Sequence, residues 1–245
     1  MPLPVALVTG GARRIGRAIV EDLARNGWAV AIHYRSSAED AEKLAAEIVV
    51  AGGKAAALKC DLGDLDEARR LVEQVAKALG ALTLLVNNAS IFEKDTVGNL
   101  DGALWQRQFA VNLAAPVFLA EAFARQVPAD SEGNIVNLLD QRVFRPTPDH
   151  FSYQITKSAL LAATETLAMA LAPRVRVNGI APGPVLPSAN STPERFAEFV
   201  AALPLRRQPD LADFGRTVRY FVENRSITGQ VIALDGGQRL GRAGT

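Results

Sequence analysis

The strongest constraint on the fold is an alternation. Short runs rich in Val, Ile and Leu recur along the chain, and longer amphipathic stretches separate them. The runs are VALVT at 5–9, AVAIHY at 29–34, AAALKC at 55–60, LTLLVN at 82–87, NIVNLL at 134–139, RVNGI at 176–180 and QVIAL at 230–234. Several are apolar at consecutive positions, as strands covered by helices on both faces must be. The intervening stretches read as helices. SSAEDAEKLAAEIVV has Ser37 as its N-cap, and GDLDEARRLVEQVAKAL has Asp64 in that role. Gly52 and Gly80 stand where helix ends take a left-handed residue. Longer helices rich in Ala and Leu are expected at about 102–126 and 152–172. The alternation predicts a single α/β domain over residues 1–245, a doubly wound seven-stranded parallel sheet flanked by helices. One segment breaks the pattern. From Pro182 to about Pro193 the chain is proline-rich and irregular, which predicts a substrate loop at about 186–204.

Composition removes several functional classes. The net charge is +1, so no basic surplus points to nucleic acid or an anionic membrane. Cys60 is the only cysteine, which rules out an intrachain disulfide and argues against a cysteine-based zinc site; no metal site is expected. The start, MPLPVALVTGG, lacks a basic segment ahead of an apolar one and does not read as a signal peptide. No uncharged apolar run reaches the ~18 residues of a membrane span. The expected setting is the reducing cytoplasm.

The segment TGGARRIG at 9–16 joins the first strand to the first helix. In that place, glycines let the backbone approach a ligand, and the free amides of the helix start attract a pyrophosphate. Dinucleotide binding is the reading, and Gly10 is its first glycine. At the end of the second strand, a carboxylate would favour the ribose hydroxyls of NAD. Here the chain reads His33, Tyr34, Arg35, Ser36, Ser37, with no acid before Glu39. Arg35 offers a planar fork of donors for a 2′-phosphate, the serines add hydroxyls, and Arg13 can approach from the first loop. NADPH/NADP+ is therefore the expected cofactor.

Tyr153 and Lys157, in FSYQITKS, are one helical turn apart on one face. A free phenol, with a pKa near ~10, is a poor proton donor at neutral pH. An adjacent ammonium is expected to lower that value and fit the pair for the proton that accompanies hydride transfer.

With these pieces together, the chain resembles the short-chain dehydrogenase/reductase family over essentially its whole length, which implies a Rossmann fold. The matching segments are TGGARRIG, CDL at 60–62, NNAS at 87–90, Asn112 in VNLAAP, YQITK, RVNGIAPGPV at 176–185 and TGQVIALDGG at 228–237. The resemblance implies Tyr153 as general acid, with Lys157 holding the nicotinamide ribose and tuning it. Asn112 would anchor a water in a proton relay. Asp61 and Leu62 would meet the adenine, and Asn88, Ala89 and Ser90 would line the cofactor together with Ile15, Pro182 and Gly183. Val185 would contact the carboxamide through its backbone. A homotetramer with no nucleic-acid or membrane partner is also implied.

The sequence departs from the family pattern at telling positions. The family places a serine thirteen residues before the tyrosine, where this chain has Asp140. An ionised carboxylate would repel the oxyanion of a reduced ketone, whereas it suits a nitrogen heterocycle. Arg14 replaces the middle glycine of the first loop. Together with HYRSS and NNASIF, these features resemble the pteridine reductases within the family. That branch implies Arg14 bridging a cofactor phosphate and the pterin, Phe92 stacking on the pterin, and Ser90 bonding to the pterin or a phosphate. The implied reaction is hydride transfer to the C=N carbon of a dihydropterin or dihydrofolate, with Tyr153 protonating the nitrogen. For a fully oxidised pterin, Asp140 would join Tyr153 in proton donation. Pro187, followed by Ser188, stands where the family often has a threonine for the carboxamide. That departure leaves open a reductase of another small carbonyl or imine, and the fold alone leaves open a non-catalytic NADP(H) sensor. His150, beside the start of the catalytic helix, is read as a cap or rim residue.

Overall fold

The computed structural model describes residues 3–128, 130–187 and 192–241. Seven parallel strands form one sheet: β1 (Val5–Val8), β2 (Ala29–Tyr34), β3 (Lys54–Lys59), β4 (Leu82–Asn87), β5 (Gly133–Leu138), β6 (Val175–Pro182) and β7 (Val231–Leu234). Their spatial order is β3-β2-β1-β4-β5-β6-β7. The order reverses between β1 and β4, and their carboxyl ends open the crevice where such sheets bind ligands.

Both faces of the sheet are buried. Along β1, Val5 and Leu7 pack in one apolar cluster with Leu71, Leu85 and Phe123. Ala6 and Val8 face the other, with Ile19, Leu23, Phe214 and Phe221. The first layer draws on α3 (Leu65–Leu79) and α5 (Ala115–Gln126), the second on α1 (Arg14–Arg25) and α8 (Leu211–Glu223). This two-sided burial is the physical reason several strand runs are apolar at consecutive positions.

Local sequence explains most boundaries. Asp64 caps α3 by accepting from the amides of Asp66 and Glu67 at 2.9 Å. Gly52 and Gly80 take left-handed φ values of +87° and +107° at the helix ends. Ser37 occupies the N-cap of α2 (Ala38–Val50), but its side chain makes no capping bond. The helix expected over 102–126 is interrupted. α4 (Gly102–Phe109) passes into a π-helical turn, Ala110–Ala114, before α5 begins. The turn carries Asn112, whose bonds to a neighbouring loop hold the extra residue in place. The expected substrate loop contains a helix, α7 (Pro193–Ala201), capped by Thr192 and opened by Pro193. Ser188 lies outside the described residues. Helix α6 (Phe151–Leu171), which carries Tyr153 and Lys157, follows a short 3-10 turn, Gln141–Val143.

Candidate active site

The loop between β1 and α1 forms the first wall. Gly10 holds φ +61°, and its amide donates to His33 Nδ1 at 3.0 Å. A Cβ on Gly16 would sit 2.2 Å from the Gly10 carbonyl oxygen, so the loop closes on the helix only with glycine there. Arg14 replaces a glycine yet keeps its left-handed backbone, with φ +52°. A non-glycine residue in that region costs of order 1–2 kcal/mol. The first turn of α1 holds no acid and has no side-chain cap, leaving its amides open to an anion.

Two adjoining cavities open at the sheet's switch point. One, of about 390 Å³, is lined by Gly10, Arg13, Ile15, Tyr34, Arg35 and Ser36, with Asp61, Leu62, Asn88 and Ala89 across from them. No carboxylate stands at the end of β2, so the surroundings of Arg35 fit a 2′-phosphate. His33 borders this cavity but is 2% exposed, and both its ring nitrogens are engaged, with Gly10 and with the Cys60 carbonyl at 3.1 Å. Burial lowers its pKa, so the ring is a neutral strut beneath the loop. Arg13 turns outward to Asp40 at 2.5 Å.

The second cavity, of about 1090 Å³, gathers Arg14, Ser90, Phe92, Asp140, Tyr153 and Lys157. Pro182, Gly183 and Val185 border it as β6 ends. Gly183 packs so tightly on Asp235 that a Cβ would lie 2.6 Å from the Asp235 Cα. Asn112 sits behind this wall. Its Oδ1 accepts from the Ser90 hydroxyl at 3.1 Å and the Ile91 amide at 2.8 Å, while its Nδ2 donates to the Ile91 carbonyl. Asn88 braces the glycine loop by donating to the carbonyls of Thr9 and Gly10.

Tyr153 is 6% exposed, and its hydroxyl donates to Asp140 Oδ2 at 3.0 Å. The other Asp140 oxygen accepts from the Arg142 amide at 2.9 Å. Lys157 Nζ donates to the Leu138 carbonyl at 2.7 Å. The expectation that lysine lowers the phenol pKa is overturned in the free protein. Burial first, then the charge and hydrogen bond of Asp140, push Tyr153 well above its ordinary value. Burial also pushes Lys157 down to about 8, against the pull of Asp140. A phenol held in its protonated form is equipped to give a proton rather than take one.

Phe92 is 46% exposed, so it is not a core aromatic. Its ring stacks on His150 at 4.1 Å between centroids and meets Tyr153 edge-on at 4.7 Å. His150 takes a left-handed conformation, φ +55°, at the start of α6 and lines the same cavity.

Sequence reasoning missed Asp95. It is 1% exposed, and it accepts from the Ser152 amide at 3.0 Å and from the Ser152 hydroxyl. It ties the loop bearing Ser90 and Phe92 to the first turn of α6, next to Tyr153. A lone acid in a polar loop carries no spacing signal that would single it out. Thr9 was likewise missed, although it opens the glycine loop; its hydroxyl accepts from the amides of Asn88 and Ala89. Among the described residues no cluster of His, Cys, Asp and Glu could hold a metal ion. No helix there is long and apolar enough to cross a membrane.

A parallel sheet with a glycine loop at its switch point and a Tyr–Lys pair across the crevice defines a dinucleotide-dependent oxidoreductase. Residues 4–196 match the short chain dehydrogenase family, and the chain belongs to it. FolM alternative dihydrofolate reductase 1 from Brucella canis, solved with NADP, is 55% identical with a TM-score of 0.93; the match covers 97% of this chain and 95% of that one. Its counterpart from Brucella suis, also with NADP, is 57% identical with a TM-score of 0.95, covering 98% and 96%. The 3-oxoacyl-acyl-carrier-protein reductase FabG of Staphylococcus aureus is 30% identical over 96% of this chain and 98% of its own length.

Proposed function

We propose that this NADPH-dependent oxidoreductase reduces the C=N bond of a dihydropterin or dihydrofolate. The observation that carries the reading is Asp140, hydrogen-bonded to Tyr153 in the cavity that also holds Arg14 and Phe92. A carboxyl group beside the proton donor disfavours an oxyanion and favours a heterocycle with ring nitrogens. The relatives solved with NADP and called alternative dihydrofolate reductases are consistent with it.

When bound, NADPH supplies the hydride that the C=N carbon accepts. Tyr153 turns its hydroxyl from Asp140 to the ring nitrogen and gives up its proton. Lys157, with Nζ fixed on the Leu138 carbonyl, orients the ribose and stabilises the phenolate that remains. Phe92 stacks on the pterin, Arg14 reaches from the pyrophosphate loop to its polar edge, and Ser90 bonds to it. Asn112 holds the Ser90–Ile91 wall and the proton path behind it. Val185, Gly183 and Pro182 flank the nicotinamide, and Arg35 with Ser36 meets the 2′-phosphate. The working form is a cytoplasmic homotetramer joined through α4–α5 and α6, which light scattering tests. The reaction is tested by label transfer. Deuterium from NADPH labelled at C4 is expected on the reduced carbon of tetrahydrobiopterin made from 7,8-dihydrobiopterin. No label there, with NADPH consumed by ketones instead, would transfer the assignment to carbonyl reduction.

A further inference from the structure

We propose that His33 is a positioning residue for the coenzyme: its neutral ring ties the glycine loop, the end of β2 and the end of β3 into the arrangement that binds NADPH, and a proton on Nδ1 undoes it. The inference concerns the coenzyme half of the site and holds whichever substrate is reduced there.

The ring is fixed by two backbone groups from different segments. Its Nδ1 accepts from the Gly10 amide at 3.0 Å, and its Nε2 lies 3.1 Å from the Cys60 carbonyl oxygen. An amide only donates and a carbonyl only accepts, so the pair admits one tautomer, with the hydrogen on Nε2 and a bare Nδ1. The His33 carbonyl in turn accepts from the Gly11 amide at 3.0 Å. Both of these loop amides are therefore spent on His33, which leaves an anion to the amides at the start of α1. Gly10 is gripped from its other side as well, where its carbonyl accepts from Asn88 Nδ2 at 3.0 Å. The three joined segments border one cavity. In the reading above, the loop after Gly10 meets the pyrophosphate. Arg35 and Ser36, just beyond His33, meet the 2′-phosphate. Asp61 and Leu62, directly after Cys60, meet the adenine.

A further proton would enter at Nδ1 and point at the Gly10 N–H. Two donors would then face each other at a residue only 2% exposed, and one of them would stay unpaired. The surroundings resist that proton. Burial is the largest influence and lowers the His33 pKa; the Cys60 carbonyl, Glu67 of α3 and Asp61 oppose it. The Cys60 thiol is pushed up to about 12 and carries no charge at neutral pH. Arg13 and Arg14 of the glycine loop, and Tyr34 and Arg35 beside His33, line the same cavity. Of these, Arg13 is paired with Asp40 of α2. The ring is thus neutral in the working range and gains its second proton only in acid.

The test begins with long-range nitrogen-15 spectra of the protein at neutral pH, which should show His33 protonated on Nε2 and bare on Nδ1. The chain has two histidines, so the signals missing from His33→Asn are those of His33. Following them into acid gives the pH at which the ring titrates, expected below the ordinary 6.5. Calorimetry over the same range then measures affinity for NADP+ and NAD+, the acid-stable forms of the coenzymes. Both should weaken below the titration point, approaching about tenfold per pH unit, the limit for one linked proton. NAD+ is included because it lacks the 2′-phosphate, and a phosphate monoester itself titrates near pH ~6. In mild base His33→Asn should keep most of the affinity, since its Oδ1 can accept from Gly10, and it should lose the acid step for NAD+. His33→Leu, which fills the place without an acceptor, should bind both coenzymes at least about tenfold more weakly, the scale of a stranded buried donor. A side chain that only filled space would give the reverse order, with leucine the better replacement. A ring protonated on Nδ1 at neutral pH, leucine matching asparagine, or an acid step with NAD+ that persists in His33→Asn would overturn the proposal. No arm reads pterin turnover, so failure of the pterin reading and failure of this one are separately visible.

Discussion

Replacing Asp140 with serine restores the residue common in the family and removes the acceptor of the Tyr153 hydroxyl. Three influences raise the phenol pKa in the free protein: burial, the Asp140 charge and the Asp140 hydrogen bond. The substitution deletes the last two and leaves Arg142, which lowers it. A hydrogen bond to a charged group is worth about 1.5–3 kcal/mol. Losing that bond and the carboxylate charge should therefore lower the phenol pKa. The general acid works protonated, so its contribution holds below its pKa and is lost above it. Asp140→Ser should therefore bring tyrosinate formation into a lower pH range. The assay is ultraviolet titration near 295 nm, with Tyr153→Phe subtracted to remove Tyr34 and Tyr220. In steady state, the variant should lose about 10²-fold in kcat for 7,8-dihydrobiopterin, the scale of one removed catalytic group. A Tyr153 that titrates below ~10 in the parent protein, or that stays in place when Asp140 is removed, would refute the electrostatic account. Unchanged pterin kinetics would refute the role given to the carboxyl.

Other substitutions probe separate parts of the site. Arg35→Ala should weaken NADPH by about 10–100-fold, the worth of a charge-assisted phosphate contact. NADH should bind nearly as before, and fluorescence titration with both coenzymes checks this. Lys157 has an ordinary pKa of 10.5 and one of about 8 in the folded chain. It is thus charged in a buried place below pH ~8, at a cost of roughly 3 kcal/mol. Lys157→Met should abolish turnover and yet stabilise the cofactor-free protein by about 1–2 kcal/mol at pH 7, after the lost Leu138 bond is counted. That gain should shrink as pH rises from 8 toward 10.5, where the unfolded lysine also loses its proton; denaturant midpoints across pH read it. Asp95→Ala strands buried donors of Ser152 and should cost about 2–4 kcal/mol. Because Asp95 only positions α6, its loss should lower kcat more than it weakens NADPH binding, with Asp95→Asn recovering part of the rate.

The sheet was legible because its central strands, β1, β4, β5 and β6, are buried on both faces, so their apolar residues are a direct imprint of their surroundings. LTLLVN and AVAIHY coincide with β4 and β2 to the residue. Asp64 was legible as a cap because its partners are its own neighbours in sequence. What escaped depends on contacts distant along the chain. The π turn at 110–114 follows from the bonds Asn112 makes to Ile91, and no periodicity within 102–126 announces it. Helix α7, capped by Thr192 and opened by Pro193, lies in the segment read from the sequence as an irregular loop. That helix buries nothing, so its apolar pattern was weak against the prolines around it. The glycine loop, Arg35, Tyr153 and Lys157 were visible as residue types at familiar spacings. The direction of the Tyr153 shift was not, because it rests on burial and on the 3.0 Å approach of Asp140 across a loop. Arg14 raised the question from sequence, and the structure gives it a left-handed backbone, with φ +52°.

The central claim is reduction of a pterin with NADPH. Its most direct test is steady-state NADPH oxidation with 7,8-dihydrobiopterin, run beside a panel of ketones and aldehydes and repeated with NADH. The account predicts turnover of the pterin that exceeds every carbonyl in kcat/KM, with NADPH preferred over NADH by at least tenfold. Turnover of carbonyls but not of the pterin would contradict it. The fold and the Tyr153–Lys157 pair would stand, and Arg14 and Asp140 would then serve a different substrate.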